Sequence, residues 1–280
     1  MQVIQSLSAW KELRPQLTGA LGLIPTMGAL HEGHLALMRR AREENEIAVL
    51  WIFVNPKQFA EDADFGSYPR VMEEDLRLAG ECGMDYVLAP GAREVYPEDF
   101  QTYVEVEQLS QPLEGAHRAG HFRGVATVVA KMLCLTQPQR AYFGQKDAQQ
   151  TLVVKRMVED LGMLTEIVVC PTVRDQDGLA LSSRNARLSP RERKAALVLY
   201  RALKDVETAL RCGERDCEVL RGRMRDILGR EPRAEVEYVS IADPNTLAEC
   251  ATVSGPVLAS LAVQIGDTRL IDNLPLTISE

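Results

Sequence analysis

Eight consecutive apolar residues, Ile47-Ala48-Val49-Leu50-Trp51-Ile52-Phe53-Val54, constrain this chain more than any other stretch. A strand wetted on one face alternates apolar and polar side chains. An unbroken, branched run of this length is expected of a strand covered on both faces, as in a parallel sheet. Asn55-Pro56 ends it. Around it, strand-like runs at 21–24, 85–88, 102–106, 140–143 and 166–170 are interleaved with helical patterns at 33–45, 71–82, 124–135 and 147–161. This alternation predicts an α/β fold with a parallel sheet between helical layers.

The pattern changes after Pro171. Ser189 and Pro190 have the residue types of an N-cap and first helical position, opening one long helix to about residue 211. A second helix is predicted at 216–228, then strands at 236–241, 257–263 and 268–271. Helices followed by strands indicate a smaller α+β domain, so the expected division is 1–171 and 172–280.

Composition excludes several classes. A net charge of −8 with no basic cluster argues against a nucleic-acid partner. The six cysteines, Cys82, Cys134, Cys170, Cys212, Cys217 and Cys250, are scattered with no C-x-x-C, as expected of reduced thiols in the cytoplasm. The first 16 residues lack the pattern of a secretion signal, and the 47–54 run is too short to cross a bilayer. A cytoplasmic protein with no membrane partner is expected.

The residues of chemical interest follow the predicted strands, where open α/β sheets bind ligands. After the first comes Pro25-Thr26-Met27-Gly28-Ala29-Leu30-His31-Glu32-Gly33-His34. Strand, glycine-containing turn and helix make a phosphate site if open main-chain N–H groups and the helix dipole face the ligand. His31 and His34 share one face of the first helical turn and can stabilise charge developing at phosphorus. The same pair also suits capping or half of a metal site, and Gly28 and Gly33 suit turn geometry alone.

Asn55-Pro56-Lys57-Gln58-Phe59 follows the second strand, and Gly144-Gln145-Lys146-Asp147 follows the strand at 140–143. Lys146 can neutralise phosphate, and Asp147 can hold Mg²⁺ or sit as an ordinary first-turn carboxylate. The amides of Gln149 and Gln150 can read a hydroxyl or carboxylate, or face solvent. Asp177-Gly178-Leu179-Ala180-Leu181-Ser182-Ser183-Arg184-Asn185 can wrap a triphosphate and close as a lid, or be a polar linker. His117 and His121 raise the alternative of zinc bound by both histidine pairs. The adjacent Arg118 and Arg123 favour an anion-facing or lid loop.

Taken together, the segments 25–34, 53–59, 142–150 and 177–185 resemble the pantothenate synthetases (pantoate–β-alanine ligases) of the nucleotidylyltransferase superfamily. The His-x-Gly-His element alone is shared more widely, including with some aminoacyl-tRNA synthetases. Its combination with Asn55-Pro56-x-Gln58-Phe59 and Ser182-Ser183-Arg184 is far more specific. Gln145 stands where many members carry an acidic residue.

The resemblance implies a Rossmann-like N-terminal domain, a smaller C-terminal domain closing over the ATP site, and a homodimer. It implies ATP-dependent condensation of (R)-pantoate with β-alanine through a pantoyl-adenylate, releasing AMP and pyrophosphate. Mg²⁺ would be bound mainly through ATP, with no dedicated metal ligands. By motif position Pro25, Thr26, Met27, Gly28, Ala29, Leu30, His31, His34, Gly144, Gln145, Lys146, Asp147, Val173, Leu181, Ser182, Ser183 and Arg184 would contact ATP. His34, His31, Lys146 and Arg184 would be catalytic, and Gln58, Gln150 and Asn55 would hold substrate. A same-fold rival is a nucleotidylyltransferase that stops at adenylate transfer. With Lys57 the one basic residue of its segment, a phosphorylated acceptor is disfavoured.

Overall fold

A computed structural model describes residues 1–59, 65–66 and 68–277. The chain divides into two units: 1–145 with 149–171, and 146–148 with 172–280.

The first unit is a six-stranded sheet with every pair parallel. Its strands are β1 (Gln2–Ile4), β2 (Leu21–Thr26), β3 (Ile47–Ile52), β4 (Tyr86–Leu88), β5 (Arg140–Gly144) and β6 (Glu166–Cys170). Helices α1 (Leu7–Leu13), α2 (Glu32–Glu44), α3 (Met72–Glu81), α4 (Ala92–Val95), α5 (Glu114–His117), α6 (His121–Thr136) and α7 (Ala148–Asp160) connect or flank them. The long apolar run becomes β3, with Ala48, Leu50 and Ile52 in one core cluster with Leu35, Leu37, Met38 and Ala41 of α2. Val49 and Trp51, of opposite parity in the strand, are also fully buried. Strand order is β1-β4-β3-β2-β5-β6. The winding therefore reverses between β2 and β5, the position at which such sheets bind ligands beyond their carboxyl ends.

Two expectations are corrected and the start of one helix is refined. Residues 102–106 join no sheet among the described residues; the Val104 N–H instead donates to Thr127 Oγ1 of α6 at 3.0 Å. The helix expected at 147–161 opens with a 3₁₀ turn, Gln145–Asp147, before α7. The long helix after Ser189 is two, α8 (Pro190–Ala195) and α9 (Leu197–Arg211), separated at Ala196. Its start is as expected: Ser189 accepts from the Glu192 N–H, and the Glu192 side chain bonds back to Ser189.

The second unit carries α8, α9, α10 (Cys217–Gly229) and an antiparallel sheet ordered β7-β8-β9 (Ala234–Ala242, Val257–Ile265, Thr268–Leu276). The apolar stripes of α9 (Leu199, Leu203, Val206) and α10 (Leu220, Met224, Leu228) share a core with Ile241, Ala259, Leu261 and Val263. Burying these stripes against one sheet face holds the unit together.

Candidate active site

β2 brings Pro25 and Thr26, and parallel β5 brings Gly144, to the carboxyl end of the first unit's sheet. The turn after β2 is tight, with Gly28 at φ +83° and Ala29 at +50°. A Cβ on Gly28 would lie 2.8 Å from Asp75 Oδ2, so both conformation and packing require glycine there. The Gly28 N–H donates to Thr26 Oγ1 at 3.1 Å. Asp75, on α3, accepts the N–H groups of Ala29 at 3.0 Å and Leu30 at 2.8 Å. Burial pushes the Asp75 carboxyl above its ordinary value, opposed in part by those two hydrogen bonds.

His31 is the N-cap of α2, and its Nδ1 accepts the Gly33 N–H at 3.1 Å. His34 Nδ1 accepts the His31 N–H at 3.3 Å, completing a reciprocal capping box of two imidazoles whose ring centres are 4.2 Å apart. This corrects the expectation of an open amide cradle: the N–H groups of Gly28, Ala29, Leu30, His31 and Gly33 all donate within the protein. Gly33 is not a turn glycine; it lies inside α2 without positive φ. A neutral imidazole that accepts at Nδ1 carries its proton on Nε2. Both rings are thus Nε2–H donors with a tautomer fixed by the helix start.

Asn55 caps the 3₁₀ turn Pro56–Gln58. Its Oδ1 accepts from the Lys57 N–H (3.2 Å) and the Tyr96 hydroxyl (3.0 Å), and its Nδ2 donates to Gln58 Oε1 (3.0 Å) and the Gly124 carbonyl (3.1 Å). Four bonds saturate a primary amide. Asn55 therefore sets Gln58 rather than reaching a ligand itself, which corrects its expected role. Gln58 Nε2 lies 3.0 Å from Met27 Sδ, joining the second predicted cluster to the first. A Cβ on Gly124 would sit 2.1 Å from the Lys57 carbonyl oxygen, so glycine lets α6 abut this turn.

Gln149 is not a ligand reader. It is buried, accepts from the Glu114 N–H at 3.0 Å, and donates to the carbonyls of Leu109 and Pro112. Gln150, its neighbour on the first turn of α7, is half-buried. In the segment around His117 and His121, Ala116, His117, Ala119 and Gly120 are exposed. Glu114 and His121 are buried, and His121 begins α6. Both His121 ring nitrogens lie within hydrogen-bond distance of other groups, which removes it from the zinc alternative. Among the described residues, no three His, Cys, Asp or Glu side chains form a metal-holding group.

Within the second unit, residues 173–181 form a pinned hairpin rather than a slack linker. The Leu181 N–H donates to the Val173 carbonyl at 3.0 Å, and Arg174 bridges Ala180. Arg174 makes a bidentate pair with buried Asp272 at 2.6 and 2.8 Å and stacks 4.1 Å above Tyr200. Gly178, at φ +95°, clears the Tyr200 ring. Beyond the hairpin, Ser182 Oγ accepts the Arg184 N–H at 3.3 Å and starts the turn Ser183–Arg187. Lys146, with Nζ 3.6 Å from Asp147, has its carbonyl held at 2.8 Å by Asn273 Nδ2 of β9.

The family model described as pantoate-beta-alanine ligase matches residues 1–275. The chain belongs to this family. It is 54% identical to the pantothenate synthetase of Roseiflexus castenholzii over 98% of both chains. Among solved structures, it resembles the pantothenate synthetase of Thermus thermophilus with a TM-score of 0.94, 46% identity, and coverage of 98% and 99% of the two chains. The pantoate-beta-alanine ligase of Francisella tularensis, complexed with β-γ ATP and β-alanine, matches with a TM-score of 0.82, 32% identity, and coverage of 98% and 97%. The chain is accordingly a pantoate–β-alanine ligase with an α/β N-terminal domain.

The supporting residues of this ligase were the ones sequence reading missed. Asp75 sits among Glu73 and Glu74, both exposed, and nothing in the sequence singles out the buried carboxylate. Tyr96, Asp272 and Asn273 reach their partners across 41, 98 and 127 positions. His121 was visible as one of four histidines, but its partner is a main-chain carbonyl.

Proposed function

We propose that this ligase works through a pantoyl-adenylate, with the His31–His34 pair as donors to the phosphates of ATP. A carboxylate resists attack by an amine because its oxygen is a poor leaving group. Attack of the pantoate carboxylate on the α-phosphorus breaks the α–β phosphoanhydride, releases pyrophosphate and leaves a mixed anhydride. The neutral amine of β-alanine then attacks the acyl carbon; the amide forms, AMP departs and the amine loses a proton. No protein nucleophile is required.

The chain's contribution is positioning and charge neutralisation. The observation that carries this reading is the double imidazole cap. With both Nδ1 atoms committed to main-chain N–H groups, His31 and His34 present fixed Nε2–H donors at the end of β2. His34 is assigned the bridging charge of the adenylation step. Motif position supports assigning Lys146, Ser182, Ser183 and Arg184 to the phosphates. It likewise supports Pro25, Thr26, Met27, Gly28, Ala29, Leu30, Gly144, Gln145, Asp147, Val173 and Leu181 as the remaining ATP contacts. At Gly144 an added Cβ would meet nothing within 4 Å, so protein packing does not demand glycine, whereas a phosphate brought close to the backbone would. Gln58, set by Asn55, and Gln150 are assigned to pantoate, since amides both donate and accept toward a small hydroxy acid. Gln58 is also assigned to β-alanine.

Mg²⁺ is proposed to arrive on ATP and reduce its charge, because Asp147 alone does not make a protein cage. The second unit is proposed to close over ATP. Family membership and six free cysteines support a cytoplasmic homodimer.

The deciding experiment omits ATP, Mg²⁺, pantoate and β-alanine in turn while following AMP, pyrophosphate and pantothenate. Pyrophosphate exchange into ATP with pantoate alone, and AMP release only with β-alanine present, are expected. Exchange that requires β-alanine, or AMP release without it, overturns the adenylate route.

A further inference from the structure

The buried histidine of α6 has no part in the chemistry above, yet its ring faces the residue assigned to pantoate. His121 Nδ1 lies 2.8 Å from the main-chain carbonyl oxygen of Gln58, and Nε2 lies 3.1 Å from Arg118 Nη1. A guanidinium can only donate, so Nε2 accepts and the ring proton is on Nδ1, directed at the Gln58 carbonyl. Arg118 is placed in turn by Glu114, 3.8 Å away and buried. The tautomer of His121 is thus opposite to that of His31 and His34.

Gln58 is held from three directions. Asn55 fixes its Oε1, Met27 lies against its Nε2, and His121 binds its carbonyl. The carbonyl sets the peptide plane that ends the turn Pro56–Gln58, and with it the direction in which the side chain leaves the backbone. Gly124, on the first turn of the same helix, abuts that turn without a side chain between them. Side-chain aim and helix position are therefore coupled at Gln58.

We propose that His121, its tautomer set by Arg118 and Glu114, is a positioning residue that fixes Gln58 for pantoate. This rests on the assignment of Gln58 to pantoate. An Asn amide reproduces the Nδ1 position of histidine and a Gln amide the Nε2 position, so two variants separate the two contacts. In steady-state assays of the full chain, His121→Gln raises the pantoate KM about 10-fold, the scale of one buried hydrogen bond, and leaves the ATP KM within about 2-fold. His121→Asn, which retains a donor to Gln58, stays within about 3-fold of the parent for pantoate. A merely structural histidine would move both variants, and both KM values, together; that result overturns the proposal.

Gln58→Ala, run alongside, distinguishes the two layers. If it raises the pantoate KM while His121→Gln does not, the positioning role fails and the pantoate assignment stands. If Gln58→Ala leaves the pantoate KM unchanged, that assignment fails and the proposal falls with it. Should His121→Gln not fold, ¹H–¹⁵N correlation of the imidazoles in the parent chain decides. Protonation of His121 at Nδ1 supports the proposal; an Nε2–H tautomer overturns it.

Discussion

The carboxylate of Asp75 accepts the main-chain N–H of Leu30 at 2.8 Å across 45 positions of sequence, and that of Ala29 beside it. An acid in the first turn of α3 thereby fixes the loop that delivers the two imidazoles. Burial raises the Asp75 pKa, so between its unfolded and folded values the native state binds more protons. Its stability contribution is fully present below the unfolded pKa and is lost as pH rises through the folded one. Denaturant unfolding of the parent and of Asp75→Asn, repeated from acid to neutral pH, is expected to show the parent-minus-variant stability falling as pH rises. A difference that grows with pH contradicts this. The variant also raises the ATP KM, because an Asn amide offers one acceptor oxygen where two N–H groups are held.

His34→Ala removes a proposed transition-state donor and the acceptor of the His31 N–H together, and magnitudes separate the two effects. Loss of a cap costs about 1 kcal/mol, which leaves a domain of ordinary stability folded. Loss of one donor to developing charge costs about 10²-fold in rate or more. Single-turnover adenylate formation is therefore expected to fall about 10²-fold while the urea midpoint moves only slightly. Unchanged adenylation removes His34 from catalysis.

Legibility followed the range of the interactions. β3 was readable because a strand covered on both faces needs no polar residue. The Ser189 cap was readable because its partner Glu192 is three positions away. The His31–His34 pair was readable for the same reason, although their Nδ1 atoms proved to take up the amides that a phosphate loop would leave open. Residues 102–106 misled because alternation reports a strand-like backbone, not its hydrogen-bond partner, and here Thr127 of α6 takes that place. Asn55 and Gln149 were legible as amides but not as saturated ones; counting their bonds requires groups distant in sequence. Position along the chain gave away the carboxyl-end clusters, and the three-dimensional partners show which of their side chains are tied up within the protein.

Gly144→Ala tests whether the end of β5 approaches a ligand. Its φ is not positive and the added methyl meets no protein atom within 4 Å, so the folded chain tolerates it. Replacing glycine at such a position stabilises by about 0.4–1 kcal/mol through the unfolded chain. A melting temperature equal to or above the parent's, with ATP binding weakened about 10-fold in calorimetric titration, is expected. Undiminished ATP affinity removes Gly144 from the site.

Asp272→Ala probes the hairpin that precedes Ser182, Ser183 and Arg184. Asp272 is almost fully buried and receives both terminal nitrogens of Arg174, while Arg174 also donates to the Gly178 and Asn273 carbonyls. Removing the acid strands a largely buried guanidinium, a loss of about 3–5 kcal/mol, whereas replacing both partners by apolar residues of similar size is far milder. The single variant is expected to unfold at much lower urea than the double variant Arg174→Met/Asp272→Leu. The double variant also separates stability from function. It keeps the second unit folded but, without the guanidinium at position 174, no longer ties the hairpin to β9, so its ATP KM is expected to rise even where its urea midpoint approaches the parent's. A double variant as unstable as the single one would mean that the pair itself, not the stranded charge, holds the hairpin.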